Sequence, residues 1–126
     1  MSQKTDYAGS LIMHELSIAK SLVEIAIAEA NQVEQPVEAV HIKVGALSGV
    51  VPDALIAAYE FVTEATCLEG SLLVIENCPV QIFCPDCNKL TTLPDTKNFD
   101  CSQCGKTSGD LRGGRELELT ALEVRS

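Results

Sequence analysis

The sequence predicts an α/β fold, with two helices on a small mixed sheet and a four-cysteine lobe inserted before the last strand. Three observations support this fold class. Apolar residues recur every three or four positions after His14, which is the period of an amphipathic helix. Apolar and polar residues alternate around residues 40–44 and 117–121, as in half-buried strands. Finally, two Cys-x-x-Cys pairs lie between residues 84 and 104.

The first helix is predicted from His14 to about Val33, because its apolar stripe begins at Ile18 and ends there. Gln35-Pro36 then ends the helix, since proline lacks the amide that a helix interior requires. Residues 1–12 are mostly polar and small and show no sustained period. They are expected to form a flexible N-terminal extension, with Met13 as a candidate start of translation.

The second helix is predicted to begin at Pro52, a residue suited to the first helical position, with Asp53 in its opening turn. It should extend through Val62 and end before Gly70. A change of alternation near Ala121 in the last strand suggests a β-bulge. The strands are predicted at residues 40–44, 71–76, 80–83 and 117–124.

The charge of the chain argues against partners that carry phosphate backbones. Eighteen acidic and nine basic side chains give a formal net charge of −9. Nucleic-acid binding depends on clustered Lys and Arg, so no nucleic-acid partner is expected. No uncharged apolar run is long enough for a membrane span, and residues 1–12 lack the features of a signal peptide. The protein is therefore expected in the cytoplasm, without a membrane partner.

The sequence also lacks the usual motifs of catalysis. It has two histidines and contains no G-x-S-x-G, no H-E-x-x-H and no phosphate-binding loop. An enzyme needs a nucleophile, a base or a metal ion with an open coordination position. The sequence therefore predicts that the protein is not an enzyme.

The paired cysteines predict a zinc site. Zinc prefers four tetrahedral ligands, and two Cys-x-x-Cys turns separated by a loop can supply all four as thiolates. A closed site of this kind indicates a structural metal in a zinc ribbon, while iron in a rubredoxin-like site is the alternative. Cys67 and Cys78 have no ligand-spaced neighbour and are predicted to be small buried hydrophobes. The predicted zinc ligands are Cys84, Cys87, Cys101 and Cys104.

A second group of candidate ligands is Met13-His14-Glu15, which brings an imidazole and a carboxylate together at a predicted helix start. Borderline divalent metals such as nickel favour nitrogen and oxygen donors of this kind. Alone the motif is weak, because a solvated first turn with a glutamate near the helix dipole is more common. Similarly, His41 on a strand is expected to be a surface histidine rather than a ligand.

Several motifs occur in a fixed order along the chain. They are Met13-His14-Glu15-Leu16-Ser17-Ile18-Ala19, then Val44-Gly45 with Asp53, then Cys84-x-x-Cys87 and Cys101-x-x-Cys104-Gly105. Together they resemble the HypA/HybF family of hydrogenase-maturation nickel metallochaperones, and the resemblance covers residues 13 to 125. The combination is more specific than any one part.

This resemblance implies a metallochaperone that transports Ni(II) and holds a structural zinc ion. Its nickel ligands would be His14 with its backbone region and Glu15, while Asp53 matches a further acidic position near the nickel site. A plain helix-stabilising role for Asp53 is equally open. The implied partners are the nickel-handling GTPase HypB and the [NiFe]-hydrogenase large subunit. Monomer and homodimer both stay open.

The expected domains follow from the same reading. Residues 13–78 with 113–126 would form the nickel-binding α/β domain, and residues 79–112 the zinc-binding domain. One departure from the family concerns the start of the chain, because twelve residues precede Met13 and turn its amine into a peptide amide. Either translation starts at Met13 or the nickel geometry differs.

An alternative reading is a zinc-ribbon module that binds nucleic acid or another protein, because paired cysteine turns recur in such modules. The net charge of −9 opposes nucleic-acid binding. Only Arg112 and Arg115 lie near each other among the basic residues, and no aromatic platform is present to stack bases.

Overall fold

The computed structural model describes the backbone of residues 3–125 and the side chains of residues 14–125. The chain divides into two compact units. The helical unit comprises Met1–Ile42, Val50–Ile75 and Leu119–Ser126. The cysteine unit comprises Lys43–Gly49 and Glu76–Glu118. The cysteine unit therefore extends beyond residues 79–112 and also includes residues 43–49, 76–78 and 113–118.

Two helices and six strands lie within the described residues, and they confirm the predicted α/β fold class. The strands form two three-stranded sheets rather than one, with orders β2-β1-β6 and β4-β3-β5. Strand β3 pairs antiparallel with both of its neighbours. The elements in chain order are α1 (Gln3–Ala30), β1 (Val37–Gly45), α2 (Pro52–Val62), β2 (Leu72–Cys78), β3 (Gln81–Cys84), β4 (Lys89–Thr92), β5 (Leu111–Gly113) and β6 (Leu117–Val124).

Helix α1 begins at Gln3, well before the predicted start near His14. The backbone of residues 3–12 is helical where a flexible extension was predicted, and residues 1 and 2 lie outside the described residues. The segment contains no proline, and extending an existing helix adds one hydrogen bond for each residue fixed. Amphipathic periodicity therefore marks where the helix begins to pack, and not where it begins.

Helix α2 begins at Pro52 with Asp53 in its first turn, as predicted. Its last turn is closed by Thr63, whose amide and hydroxyl both donate to the carbonyl of Tyr59, at 3.0 and 2.8 Å. Helices α1 and α2 pack against each other and, with β1, supply the core of the helical unit. Neither helix of the described chain is long and apolar enough to cross a membrane. The buried apolar residues of the two helices are Ala19, Leu22, Val23, Ala26, Leu55, Ala58 and Tyr59.

The cysteine unit has a small apolar core of its own. Val80, Ile82 and Leu93 are fully or nearly fully buried there. Leu47, Phe99 and Leu111 are partly buried against them. A core of this size supplies little stability, since burying one such side chain contributes about 1.5–3 kcal/mol before the cost of ordering the chain. A crosslink would therefore add substantially to the stability of this unit.

Gly45 is required by a close approach of two backbone segments inside the cysteine unit. A Cβ at Gly45 would lie 2.2 Å from both the carbonyl carbon and the carbonyl oxygen of Gly114. The approach is held by the amide of Gly45, which donates to the carbonyl of Glu116 at 2.7 Å, and by the amide of Leu47, which donates to Gly114 at 2.6 Å. No side chain fits without moving the backbone.

Gly45→Ala is therefore expected to lower the free energy of unfolding by about 3 kcal/mol or more, because overpacking against backbone cannot relax by a rotamer change. Gly109→Ala is the matched control, since a Cβ there meets nothing within 4 Å. Urea denaturation of both variants measures the difference. Equal stability of the two variants would show that the close approach is not tight in solution.

Candidate metal centre

The first cysteine pair lies at the β3–β4 hairpin. Cys84 is the last residue of β3 and pairs with Lys89, the first residue of β4. The turn between them contains Cys87 and ends at Asn88, which has a φ of 53°. Asparagine adopts this left-handed conformation more readily than most residues. The hairpin therefore folds Cys87 back toward the end of β3.

The second cysteine pair lies on a similar turn. The amide of Gly105 donates to the carbonyl of Cys101 at 2.8 Å, and the amide of Cys101 donates to the carbonyl of Lys106 at 2.8 Å. Gly105 has a φ of +78°, a conformation that glycine adopts without steric cost. Each Cys-x-x-Cys pair is thus followed by a residue suited to the left-handed region, and both turns present two sulfurs on one side.

The two turns bring all four sulfurs together, with their Sγ atoms within 4.8 Å of one another. Cys84 and Cys104 are 3.6 Å apart, and Cys87 and Cys101 are 3.9 Å apart. A tetrahedral metal ion with metal–sulfur bonds of about 2.3 Å requires sulfur–sulfur distances of about 3.8 Å. These two distances fall on either side of that value, and all four sulfurs lie within 4.8 Å of one another, so the four cysteines could together hold a tetrahedral metal ion.

The polar surroundings favour a negative charge on one of the sulfurs. Hydrogen bonds from the backbone amides of Cys104 and Gln103 lower the pKa of Cys101 to about 6, although burial opposes the shift. In contrast, hydrogen bonding with Cys104, followed by burial, raises the pKa of Cys87 to about 12. A divalent cation that binds the cluster would displace the protons from any thiols that still carry them.

The three residues proposed as nickel ligands occupy different environments. His14 is exposed on α1, and Asp53 is exposed in the first turn of α2. Glu15 is only 2% exposed, and its Oε2 accepts a hydrogen bond from the backbone amide of Val51 at 3.2 Å. Among the side chains of residues 14–125, the four cysteines are the only set of three or more His, Cys, Asp or Glu that lies close enough to share a metal ion.

His14 and Glu15 lie inside α1, eleven and twelve residues after Gln3, whereas the sequence had predicted them at the helix start. Inside an α-helix each amide is hydrogen bonded to the carbonyl four residues earlier, so the backbone of His14 is engaged by the helix. The burial of Glu15 has a signal in the sequence that was overlooked. Glu15 lies four, seven and eleven positions before Ala19, Leu22 and Ala26, which form the buried face. The side chain of Met13 lies outside the described residues.

The remaining candidates give a mixed outcome. His41 is half-buried on β1, and its Nε2 lies 3.0 Å from Oε1 of Glu123. Cys78 is buried as predicted, and burial raises the pKa of its thiol. Cys67 is exposed, so the prediction that it is a small buried hydrophobe is wrong. It lies in the turn that follows α2, where an apolar residue type does not ensure burial.

Comparison with known proteins places this arrangement in a family. The family model described as "Hydrogenase/urease nickel incorporation, metallochaperone, hypA" matches residues 13–124. The hydrogenase maturation factor HypA of Chloroflexus aggregans is 47% identical over 113 residues, covering 89% of this chain and 99% of the relative. That of Chloroflexus aurantiacus is 48% identical over the same length and coverage.

A solution structure supports the fold. The nickel metallochaperone HypA from Helicobacter pylori superposes with a TM-score of 0.61 at 22% identity, covering 87% of this chain and 96% of that one. A second solution structure of a HypA protein gives a TM-score of 0.60 at 26% identity and covers 90% and 97%. The chain therefore belongs to the HypA family of hydrogenase-maturation nickel metallochaperones, which are not enzymes.

Proposed function

We propose that this protein binds Ni(II) and delivers it for insertion into the [NiFe]-hydrogenase large subunit, while a zinc ion at the four cysteines holds the cysteine unit together. The observation that carries the proposal is the presence of two different sets of donors. One is a closed set of four sulfurs within 4.8 Å of one another. The other is an exposed imidazole, His14, within the segment that the family model matches.

Zinc is the metal that best suits the cysteine site. The four thiolates complete a tetrahedral coordination sphere, so no position stays open for water or substrate. The ion would crosslink the β3–β4 hairpin to the second cysteine turn, which supplies the stability that the small core of this unit lacks. Iron accepts the same four sulfurs, and metal analysis of the purified protein distinguishes the two.

Nickel is the transported metal, so its site must release it. His14 offers a nitrogen donor at the surface, and Glu15 and Asp53 are the two carboxylates that the family resemblance adds. An exposed donor suits a cargo site because a receiving protein can approach it and take over the coordination. The partners we propose are the GTPase HypB and the hydrogenase large subunit, with the monomer and the homodimer as the two forms to test.

Two further observations agree with this assignment. Arg112 is held by Asp110 through two hydrogen bonds of 2.7 and 2.9 Å and lies over the ring of Phe83, so one of the two neighbouring arginines is already paired. This arrangement does not favour phosphate binding. The free thiols of Cys67 and Cys78 suit a reducing compartment, and we therefore place the protein in the cytoplasm.

The direct test is titration of the zinc-loaded protein with Ni(II), followed by incubation with metal-free hydrogenase large subunit. One equivalent of nickel should bind without releasing zinc and should then pass to the large subunit. A protein that binds no nickel, or that exchanges its zinc for nickel, would contradict the proposal.

Removal of residues 1–12 is expected to tighten nickel binding about tenfold. Met13 would then offer a free amine with a pKa of about 7.7–8.0, which is a far better donor than an amide. The amides of His14 and Glu15 would also lie in the first turn of α1, where they have no carbonyl partner inside the helix. Calorimetry measures the affinity, and X-ray absorption should show more nitrogen ligation in a square-planar geometry.

A shorter truncation that removes only residues 1–6 is the control, because Met13 then stays in peptide linkage. Its nickel affinity should equal that of the full chain. If the two truncated proteins have the same affinity and spectra, the amine of Met13 takes no part in binding.

A further inference from the structure

We propose that Glu15 is a positioning residue: its buried carboxylate holds the start of α2 against α1, and it does not donate to nickel. This inference rests on the proposed function, in which nickel binds at His14. It changes the role of one of the two carboxylates named above. In this arrangement Asp53 is the carboxylate available to the metal.

The first argument concerns the cost of burying Glu15. A carboxylate that is 98% removed from solvent is strongly unfavourable unless it is hydrogen bonded. Glu15 meets this requirement through the amide of Val51, at 3.2 Å. The same face of α1 continues through Ala19, Leu22 and Ala26, all of which are buried. Glu15 is therefore part of the packing surface of α1.

The second argument concerns what α2 lacks at its own start. Helix N-termini are commonly capped by a Ser, Thr, Asp or Asn side chain, but the N-cap residue of α2 is Val51, which makes no such bond. The first helical residue is Pro52, which has no amide hydrogen. Glu15 supplies from α1 both a hydrogen-bond acceptor and a negative charge near the positive end of the α2 dipole.

The third argument concerns the direction in which the side chains point. Consecutive residues of an α-helix are about 100° apart around its axis, since 3.6 residues complete a turn. His14 is exposed while Glu15 is buried, so the two side chains leave α1 on different sides. Glu15 also lines a groove of about 410 Å³, and the other described residues in its walls are apolar, namely Leu16, Ala54, Ala57, Ala58 and Phe61. Among these described residues, a carboxylate that left Val51 would find no polar side chain.

The hydrogen bond of Glu15 also affects where the carboxylate of Asp53 lies. The bond from Glu15 joins α1, which carries His14, to the residue that immediately precedes α2. Asp53 lies only two residues beyond Val51, in the first turn. Loss of the bond would loosen this turn and with it the carboxylate of Asp53. Nickel affinity should therefore depend on the bond although Glu15 is not a ligand.

Two variants give opposite expectations for a positioning residue and for a ligand. Val51→Pro removes the donor and leaves the carboxylate intact. If Glu15 is a positioning residue, this variant should bind nickel about tenfold more weakly. If Glu15 is a ligand, its release from Val51 should leave nickel binding equal or stronger. Glu15→Gln keeps an acceptor for Val51 but replaces the carboxylate. Positioning predicts an affinity within about threefold of the wild type and an unchanged nickel X-ray absorption spectrum.

Val51→Ala is the control for Val51→Pro, because it keeps the amide and shortens a side chain that is 50% exposed. Its nickel affinity should be that of the wild type. The inference is overturned if Glu15→Gln loses nickel binding with a changed spectrum, or if Val51→Pro binds nickel as tightly as Val51→Ala does.

The hydrogen bond between Glu15 and Val51 can be tested separately from nickel binding. Thermal unfolding of Glu15→Ala, Val51→Pro and the double variant, without nickel, tests whether this hydrogen bond stabilises the fold. Since both changes remove the same hydrogen bond, the double variant should be little less stable than the worse single variant. Additive losses of stability would show that this hydrogen bond does not hold α2 against α1. A wild-type protein that binds no nickel would instead contradict the proposed function and leave this cycle unaffected.

Discussion

Replacing Cys84 with serine should release the zinc and unfold the cysteine unit while the helical unit stays folded. Structural zinc contributes about 10–16 kcal/mol of apparent binding free energy in small domains, which exceeds what a short apolar core can replace. In this unit the buried apolar cluster consists of Val80, Ile82 and Leu93. The helical unit has its own core on α1, α2 and β1 and needs no metal to form it.

Metal analysis and two-dimensional NMR of the variant measure both parts of this result. Zinc should fall from about one equivalent to near zero, and dispersed amide signals should persist for the helical unit alone. Cys67→Ser is the matched control, because that cysteine is exposed and outside the cluster. Retention of one equivalent of zinc by Cys84→Ser, or collapse of both units, would refute this account of the cysteine unit.

His14→Ala should weaken nickel binding about a hundredfold, which corresponds to about 2.8 kcal/mol, and leave the zinc content unchanged. The imidazole is the nitrogen donor of the proposed site, and oxygen donors alone hold nickel less well. The change should cost little stability because His14 is exposed. Calorimetric titration with Ni(II) gives the affinity.

His41→Ala is the control for this second prediction. It removes the other histidine of the chain, which pairs with Glu123 on the surface of the helical unit. Nickel affinity should not change. If the two histidine variants lose nickel to the same degree, the metal is bound by histidine without preference for the N-terminal segment.

The fold was predictable where local signals are strong. Pro52 marks the start of α2 because its fixed φ and missing amide suit that position. The alternation around residues 40–44 gave β1, although the strand extends from Val37 to Gly45. The two cysteine turns were predictable from spacing alone, since two intervening residues let both sulfurs of a turn face one ion.

What the sequence could not provide depends on contacts between distant residues. Strands β4 and β5 are three or four residues long and form only because β3 lies between them. The requirement for Gly45 comes from Gly114, which lies far along the chain. The hydrogen bond of Glu15 also joins distant residues, because its donor, the amide of Val51, is 36 residues away. Backbone donors of this kind have no signature in a sequence.

The central claim is that two metals occupy two different sets of donors in one chain. X-ray absorption of a single sample loaded with zinc and nickel, recorded at both metal edges, tests it most directly. The zinc spectrum should show four sulfur ligands at about 2.3 Å, and the nickel spectrum should show nitrogen and oxygen ligands without sulfur. Sulfur ligands at the nickel edge, or nitrogen and oxygen at the zinc edge, would contradict the account.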